Sequence, residues 1–201
     1  MKPLAVMAED VLLARPLPLR HPLVLEDARR PGEMVDVVEC LKGHVVFVRG
    51  ICPECPHWNP SLGDADGLRA YKRLHQKYGN HVAFVGVRND FGHYDDRSGR
   101  VSSFAMPRKS YQRRLADAGA YASEFDLPGM YLVNSDGLDF HVACEMLATQ
   151  EPQRPAAHAG GFWGIGIILD RTGRIVFRHG HWYSLEPFEP TIRAVFESLR
   201  Q

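Results

Sequence analysis

The chain has few cysteines, no net charge and no long apolar run. Its 4 cysteines among 201 residues are too sparse for the disulfide framework of a small secreted domain and favour an intracellular protein with one working dithiol. Lys plus Arg equal Asp plus Glu, 24 against 24, so the chain lacks the basic surface of nucleic-acid-binding proteins and the polybasic patch of membrane-binding ones. No stretch approaches the roughly 20 apolar residues that cross a bilayer, and residues 1–13 carry no evident secretory signal. We therefore expect a cytoplasmic protein that binds neither nucleic acid nor membrane, with a processed or periplasmic form left open.

The composition is that of an ordinary globular protein. Apolar residues make up 45% and charged residues 24% of the chain, and this length suits one domain with a substantial core. Residues 1–33 are rich in proline and arginine and show no helical period, which predicts an extended N-terminal arm. The domain proper is expected over residues 34–201, with a short strand within 33–40.

Strands and helices alternate beyond residue 43, which predicts an α/β fold. Apolar runs favour strands at 44–48, 81–87 and 129–133, and helical spacing of apolar residues predicts helices at 62–78 and 108–125. Strands joined in this way by helices form right-handed parallel crossovers. We expect a central mixed sheet flanked by helices.

The last third of the chain predicts a hairpin and a closing helix. Residues 165–169 and 174–178 favour two antiparallel strands that form an edge of the sheet, and residues 190–200 carry an amphipathic helix. Residues 137–161 combine a short helical pattern with a Pro/Gly/Ala loop. We interpret this segment as an insertion before the hairpin, either a lid or a structural cover.

A CxxC pair follows the strand predicted at 44–48. Cys52 and Cys55 are two residues apart, a spacing that lets the thiols close a disulfide ring without rearrangement of the chain. The thiolate is the reactive form, and both CxxC spacing and a helix N-terminus lower the pKa of a cysteine. We predict that a helix begins at residues 53–56, with Cys52 as the solvent-facing nucleophile and Cys55 one turn inward as the resolving thiol.

The residues around the pair bear on this interpretation. Pro53 and Pro56 lack N–H groups and are tolerated in a first helical turn, which supports the predicted helix start. Glu54 opposes thiolate formation if it points inward, and Arg49 or His57 is expected to offset its charge. Arg49 is also a candidate for assisting an oxyanion or carboxylate near the thiols, although an arginine at a strand end is more often solvated.

Other interpretations of the pair remain open. A CxxC pair forms half of many zinc sites, with His57 or a distant histidine as a further ligand, but the sequence has no second CxxC and no HxxxH motif. A purely structural pair is the third interpretation. The position behind a buried strand favours redox chemistry, and Cys40 and Cys144 are expected to be small buried hydrophobic residues.

The segment that leads into Cys52 resembles the redoxin branch of the thioredoxin superfamily, in which a reactive cysteine or selenocysteine is followed by proline. Its residues are Phe47-Val48-Arg49-Gly50-Ile51-Cys52-Pro53. Within that branch, later segments are similar to the iodothyronine deiodinases and their bacterial deiodinase-like relatives. These segments are 110–118, 161–163, 167–169 and 173–177, and the resemblance runs from about residue 43 to the end of the chain.

The resemblance implies a thioredoxin-like fold with an N-terminal extension and an insertion before the C-terminal hairpin. Cys52 falls at the selenocysteine position and would be the attacking group, while Cys55 matches the second cysteine of thioredoxins. The cis-proline that precedes the hairpin strand in this superfamily is replaced here by Gly164 or Ile165. A cysteine is also a weaker dehalogenating nucleophile than selenocysteine, so the resemblance supports the fold more strongly than hormone deiodination.

Aromatic and histidine residues near the hairpin are further candidates. Trp163, beside Phe162, is a candidate wall of a substrate pocket next to Cys52, although such residues more often pack in the core. His179 and His181 follow the hairpin and form either a proton relay, a metal pair or a partly exposed polar turn.

The sequence predicts a thiol-disulfide oxidoreductase or thiol peroxidase that needs no bound cofactor. Its partners would be an external thiol reductant and a disulfide or peroxide substrate, and a homodimer is left open. The competing hypothesis is a non-catalytic binding module that uses the same fold. Such a module would hold a metal through Cys52, Cys55 and a histidine, or dock a partner through the N-terminal arm.

Overall fold

The computed structural model describes residues 11–17, 24–88, 94–95, 100–101, 110–133, 165–180, 185 and 189–200, and their side chains within 24–88, 110–133, 166–177, 185 and 189–200. The strands in these ranges are β1 Val11–Leu17, β2 Val24–Asp27, β3 Met34–Asp36, β4 Val45–Ile51, β5 Val82–Arg88, β6 Tyr94–Asp95, β7 Arg100–Val101, β8 Met130–Val133, β9 Ile165–Leu169 and β10 Ile175–Gly180. The helices are α1 Val37–Cys40, α2 Asp66–Tyr78, α3 Tyr111–Glu124 and α4 Glu189–Ser198.

Eight strands form one mixed sheet in the order β1-β10-β9-β4-β5-β8-β2-β3. β4, β5 and β8 are parallel to one another, and the other neighbouring strands are antiparallel. β6 and β7 pair with each other outside this sheet. The predicted α/β fold with a mixed central sheet and a β9–β10 hairpin is confirmed.

Strands from the N-terminal segment extend the sheet on both sides. β1 pairs with β10, so the hairpin is not an edge of the sheet as predicted, while β2 pairs with β8 on the opposite side. Within 33–40 only β3 is a strand. Asp36 then caps α1 by accepting from the amides of Val38 and Glu39, because an aspartate at this position satisfies free first-turn N–H groups. Cys40, at the end of α1, is exposed, so its predicted burial is wrong.

The core lies on both faces of the central strands. All seven residues of β4 are buried, as expected for a strand covered on both sides. On the face beneath α2 and α4, the ring of Phe47 meets those of Phe84 and Phe196 edge to face, with centroids 5.6 and 5.7 Å apart. The other face is packed with aliphatic side chains, among them Val46 and Val48. This double burial fixes the end of β4 firmly.

Two helices, α2 and α3, begin later than their apolar patterns predict. α2 begins at Asp66 and not near residue 62, because the carbonyl of Asn59 accepts from the amides of Leu62 and Gly63 and closes a separate turn there. α3 begins after Ser110, whose hydroxyl accepts from the Arg113 amide. The predicted C-terminal ends of α2 and α3 agree to within one residue, whereas α4 runs from Glu189 to Ser198 in place of the predicted 190–200.

No helix within the described ranges is long and apolar enough to cross a membrane. The predicted insertion at 137–161 falls wholly in the interval 134–164, and Cys144 falls there too. Both lie outside the described residues.

Candidate active site

The end of β4 positions the cysteine pair. Cys52 directly follows β4, which is flanked by β5 and β9, and Cys55 lies three residues further on. The two cysteines are joined by a disulfide with their Cα atoms 5.4 Å apart, inside the usual range for such bonds. The pair therefore lies at the carboxyl end of the parallel strands, the edge where α/β proteins commonly place their sites.

The CxxC segment folds as successive turns and not as the start of a helix. The Cys55 amide donates to the Cys52 carbonyl at 3.1 Å, and the Trp58 and Asn59 amides both donate to the Cys55 carbonyl at 3.0 and 2.9 Å. The next α-helix is α2, eleven residues after Cys55. The predicted helix start at 53–56 is therefore wrong.

The amides that begin α2 are used within the loop. The Leu68 amide donates to the His57 carbonyl at 3.2 Å, and the Gly67 amide donates to the Asp66 carboxylate at 2.8 Å. Helix dipoles favour anions through such free first-turn amides. Because these two amides already have acceptors, they are not free to stabilise a thiolate.

The exposure of the two cysteines is the reverse of the predicted order. Cys52 is only 3% exposed, whereas Cys55 is half-buried. Pro53 is buried beside them. In this disulfide form the solvent-facing position belongs to Cys55, because the chain leaving β4 carries Cys52 into the core before it turns outward.

Glu54, between the cysteines, is paired with an arginine from the neighbouring strand. Arg88 Nη2 and Glu54 Oε1 are 2.5 Å apart, and the Arg88 side chain is 1% exposed while that of Glu54 is 31% exposed. The expectation that Arg49 or His57 offsets the charge of Glu54 is therefore wrong, because Arg88 forms the ion pair with it. β4 and β5 pair in parallel with Ile51 opposite Arg88, which brings the arginine to the same edge of the sheet as the CxxC segment.

Arg49 is completely buried on β4. Its Nε, Nη1 and Nη2 atoms have no hydrogen-bond partner among the residues that the structure describes, and its guanidinium carbon lies 5.8 Å from the centroid of the Trp58 ring. Desolvation lowers the pKa of Arg49 to about 9. The expectation that Arg49 is solvated is therefore wrong, because β4 lies in the interior of the sheet and is buried.

Glycines on both neighbouring strands flank Arg49. Gly86 of β5 and Gly166 of β9 are its partners in register. A Cβ atom at Gly166 would lie 3.4 Å from Arg49 Cδ and 3.5 Å from Nη1, so the arginine side chain occupies the space beside this glycine. The missing side chain leaves room for a long one on the central strand.

His57 belongs to a cluster with two carboxylates. Its Nδ1 atom lies 2.7 Å from Asp66 Oδ1 and 3.9 Å from Asp64 Oδ1. The three side chains place potential ligand atoms within 4.8 Å of one another, but this group includes neither cysteine. In the described part of the chain, His57 is thus joined to the start of α2 and not to the sulfur atoms.

Hydrogen bonds from distant residues hold the loop in place. The Tyr121 hydroxyl of α3 donates to the Trp58 carbonyl at 2.6 Å, and Asn59 Nδ2 donates to the Pro53 carbonyl at 2.8 Å. Burial, followed by the charge of Glu54, raises the pKa of Tyr121 above its usual value. Sequence reasoning missed Tyr121 and Arg88. A signal for Arg88 was its place at the end of the strand after β4, but nothing local marked Tyr121.

Several predicted site residues fall outside the described residues. Trp163 and Gly164 are among them, and so are the side chains of His179 and His181. Their predicted roles stay predictions. The peptide bonds in the described ranges include no cis bond.

Comparisons with known proteins give similarity at the level of structure alone. No family model matches the chain, and no curated protein matches it. Several solved structures do, with low sequence identity. A secreted disulfide oxidoreductase from Mycobacterium tuberculosis, homologous to E. coli DsbE, aligns with TM-score 0.52 and 12% identity over 89% of this chain and 96% of that one.

Two further solved structures agree with this. A secreted thiol-disulfide isomerase from Corynebacterium glutamicum aligns with TM-score 0.51 and 12% identity over 94% of this chain and 92% of that one. BsSco, a member of the Sco family of cytochrome c oxidase assembly proteins with a disulfide switch, aligns with TM-score 0.52 and 13% identity over 94% and 98% of the two chains. These neighbours establish a thioredoxin-like fold and give no support to the narrower resemblance to deiodinases.

Proposed function

We propose that this protein is a thiol:disulfide oxidoreductase that cycles between the Cys52–Cys55 disulfide and the corresponding dithiol. The observation that carries the proposal is the disulfide itself, closed at the carboxyl end of the central strand of a thioredoxin-like fold. Structural neighbours described as disulfide oxidoreductases or isomerases support it. Fold similarity alone does not specify a reaction, so the proposal depends on the chemistry of the pair.

The proposed exchange follows ordinary thiol chemistry. The Cys52 thiolate attacks a substrate disulfide, which forms a mixed disulfide and releases one substrate thiolate. The Cys55 thiolate then attacks Cys52 Sγ, closes the internal disulfide and releases the second substrate thiolate. The substrate gains two electrons, and an external thiol reductant restores the dithiol. Protons are taken from or given to water as the thiolates require.

Disulfide exchange is preferred over the two other reactions considered. A thiol peroxidase would pass through a sulfenic acid on Cys52, whereas the neighbours described above are named as disulfide oxidoreductases or isomerases and not as peroxidases. Dehalogenation is left out of the proposal because the matching position holds cysteine in place of selenocysteine. The cytoplasmic location stays a prediction, and two of the neighbours are described as secreted.

The test is equilibration of the purified protein with glutathione redox buffers, followed by trapping of thiols and peptide mapping by mass spectrometry. We expect Cys52→Ser to abolish reduction of a disulfide substrate and Cys55→Ser to trap a mixed disulfide on Cys52. Cys40→Ser is the matched control, because Cys40 is an exposed free thiol, and it should keep full turnover. Full turnover in Cys52→Ser would refute the proposal.

Zinc analysis of the same preparations separates the competing hypothesis. A redox protein is expected to cycle free of metal. Stoichiometric zinc that protects both thiols until a chelator is added, and that is lost in Cys55→Ser, would instead establish the metal-binding module.

A further inference from the structure

Arg49 is a buried cation on the strand that leads into the redox pair, and it has no counter-ion among the described residues. Its side chain is fully buried, and within the described part of the chain all three guanidinium nitrogens lack a hydrogen-bond partner. Burying an unpaired charge is strongly unfavourable, so buried arginines are normally paired. Burial lowers the pKa of Arg49 only to about 9, so the guanidinium stays protonated near neutral pH.

Other ionisable groups around the pair are engaged elsewhere. Glu54 is bound to Arg88, and His57 is bound to Asp66. The Tyr121 hydroxyl donates to the Trp58 carbonyl, and burial raises its pKa, so it is not an anion. The same holds for Tyr71, whose pKa is also raised by burial and whose ring lies 6.0 Å from that of Trp58.

The position of Arg49 in the chain points to Cys52. Arg49 and Ile51 project to the same face of β4, and Cys52 follows immediately. The strand rise places the Cα atoms of Arg49 and Cys52 about 10 Å apart at most. Cys52 and Trp58 belong to one buried cluster, and Arg49 lies against the Trp58 ring. Both the arginine and the cysteine are therefore buried on the side of the sheet to which this cluster belongs.

We propose that Arg49 is the counter-charge of the Cys52 thiolate, an anion that exists only after the disulfide has been reduced. This inference rests on the proposed oxidoreductase function. A dithiol donor gives two electrons and becomes a disulfide, while the Cys52–Cys55 bond breaks. Of the donor's two protons, Cys55 keeps one as a thiol and the other leaves to water, because Cys52 stays ionised beside Arg49.

The consequence is a redox equilibrium shifted towards the dithiol. In the disulfide form Arg49 has no partner and its burial is unfavourable, whereas in the reduced form a charge pair in low dielectric compensates that burial. An interaction present only in the reduced form makes the disulfide more oxidising. Arg49 would thus set the direction in which this protein exchanges electrons.

The experiment compares the wild-type protein with Arg49→Met, Arg49→Lys and the control Arg200→Met. Methionine removes the charge and keeps a long apolar side chain, lysine keeps the charge, and Arg200 is partly exposed near the C-terminus. Alkylation of Cys52 by iodoacetamide is followed against pH in the reduced proteins, and the dithiol–disulfide equilibrium constant is measured against glutathione.

In the wild-type protein we expect the pH midpoint of Cys52 alkylation to lie below the ordinary thiol value of about 8.5. Arg49→Met should raise this midpoint and shift the equilibrium at least tenfold towards the disulfide, about 30 mV. Arg49→Lys should keep most of both effects, and Arg200→Met should change neither.

Urea unfolding of the disulfide and reduced forms distinguishes this role of Arg49 from a purely structural one, because a structural role would change the stability of both forms equally. In the disulfide form, Arg49→Met is expected to keep or increase the free energy of unfolding, since it removes an uncompensated buried charge. In the reduced form, the same substitution should lower the free energy of unfolding relative to the disulfide form. An equal change in both forms would refute the inference. If Arg49→Met does not fold, Arg49→Lys and the wild-type midpoint decide, and a wild-type midpoint of about 8.5 or above refutes it.

The two proposals fail in different ways. A wild-type disulfide that does not exchange with thiols refutes the oxidoreductase function. A protein that cycles normally, with the midpoint and equilibrium constant of Arg49→Met unchanged, refutes only the role of Arg49.

Discussion

The guanidinium of Arg88 holds the carboxylate of Glu54, with Nη2 and Oε1 2.5 Å apart, across the parallel pair β4 and β5. A negative charge between two thiols would disfavour a thiolate. In the ion pair, the charge of Arg88 compensates that of Glu54, which reduces the effect of the carboxylate on ionisation of the thiols. The neighbouring strand therefore supplies part of the electrostatics of the CxxC segment.

Glu54→Gln is expected to make the thiols ionise more readily and to destabilise the protein. The substitution removes the negative charge beside the thiols and takes this carboxylate away from Arg88, so the pH midpoint of thiol alkylation should fall. The free energy of unfolding should drop by about 1–3 kcal/mol, as for a buried charged donor that loses an acceptor. Glu39→Gln, at an exposed position on α1, is the control. A midpoint that rises would contradict this account of Glu54.

Tyr121→Phe should loosen the loop that carries the cysteines. Loss of the hydroxyl leaves the buried Trp58 carbonyl without this donor, at a cost of about 1–3 kcal/mol. Tyr71→Phe is the matched control, because the Tyr71 hydroxyl is buried with no partner in the described ranges and its removal should be neutral or stabilising. Urea unfolding of the two variants checks this, and equal losses in both would contradict the role of the Tyr121 bond.

Gly129→Ala should be strongly destabilising at the turn that precedes β8. Gly129 has φ +77°, and a Cβ atom there would overlap the Phe84 carbonyl of β5. Backbone strain and overlap together should cost about 2–4 kcal/mol. Gly32 has a similar φ of +92° with nothing near its Cβ position, so Gly32→Ala should cost only about 1 kcal/mol. Urea unfolding of both variants measures the difference, and a Gly129→Ala loss no larger than that of Gly32→Ala would show that contact with β5 is unimportant.

Glu189 should contribute stability that disappears in acid. Burial by itself raises its pKa, but Arg73 of α2, with Nη2 2.8 Å away, and Arg193 lower it, and the net effect holds the pKa below its usual value. A carboxylate with a lowered folded-state pKa stabilises the folded protein at pH values above its unfolded-state pKa of about 4.5. This contribution is lost as pH falls through the folded-state pKa.

Glu189→Gln should therefore lower the free energy of unfolding at neutral pH by about 1–2 kcal/mol and should differ progressively less from wild type below about pH 4.5. Urea unfolding at a series of pH values measures this. A constant difference down to pH 2 would show that the ion pair between α2 and α4 is not the cause.

Much of the fold could be predicted from the sequence because its strands and helices have recognisable patterns of apolar residues within short segments. The apolar run of β4 and the helical spacing of α2 are properties of short segments, and both elements are present. The start of α2 could not be predicted in the same way. It depends on loop carbonyls such as those of Asn59 and His57. These carbonyls accept hydrogen bonds from amides that a simple helix start would leave free.

The sequence by itself determined the alternation of strands and helices, the hairpin and the place of the CxxC pair behind a buried strand, because periodicity and spacing specify these. Only the tertiary structure decided that β1 covers the hairpin, that Cys52 is more buried than Cys55, that Glu54 binds Arg88 and that Arg49 has no solvent contact. These depend on which strands lie side by side. The strand order arises from the packing of the whole sheet, so the burial and pairing of a charged side chain cannot be predicted from its neighbours in sequence.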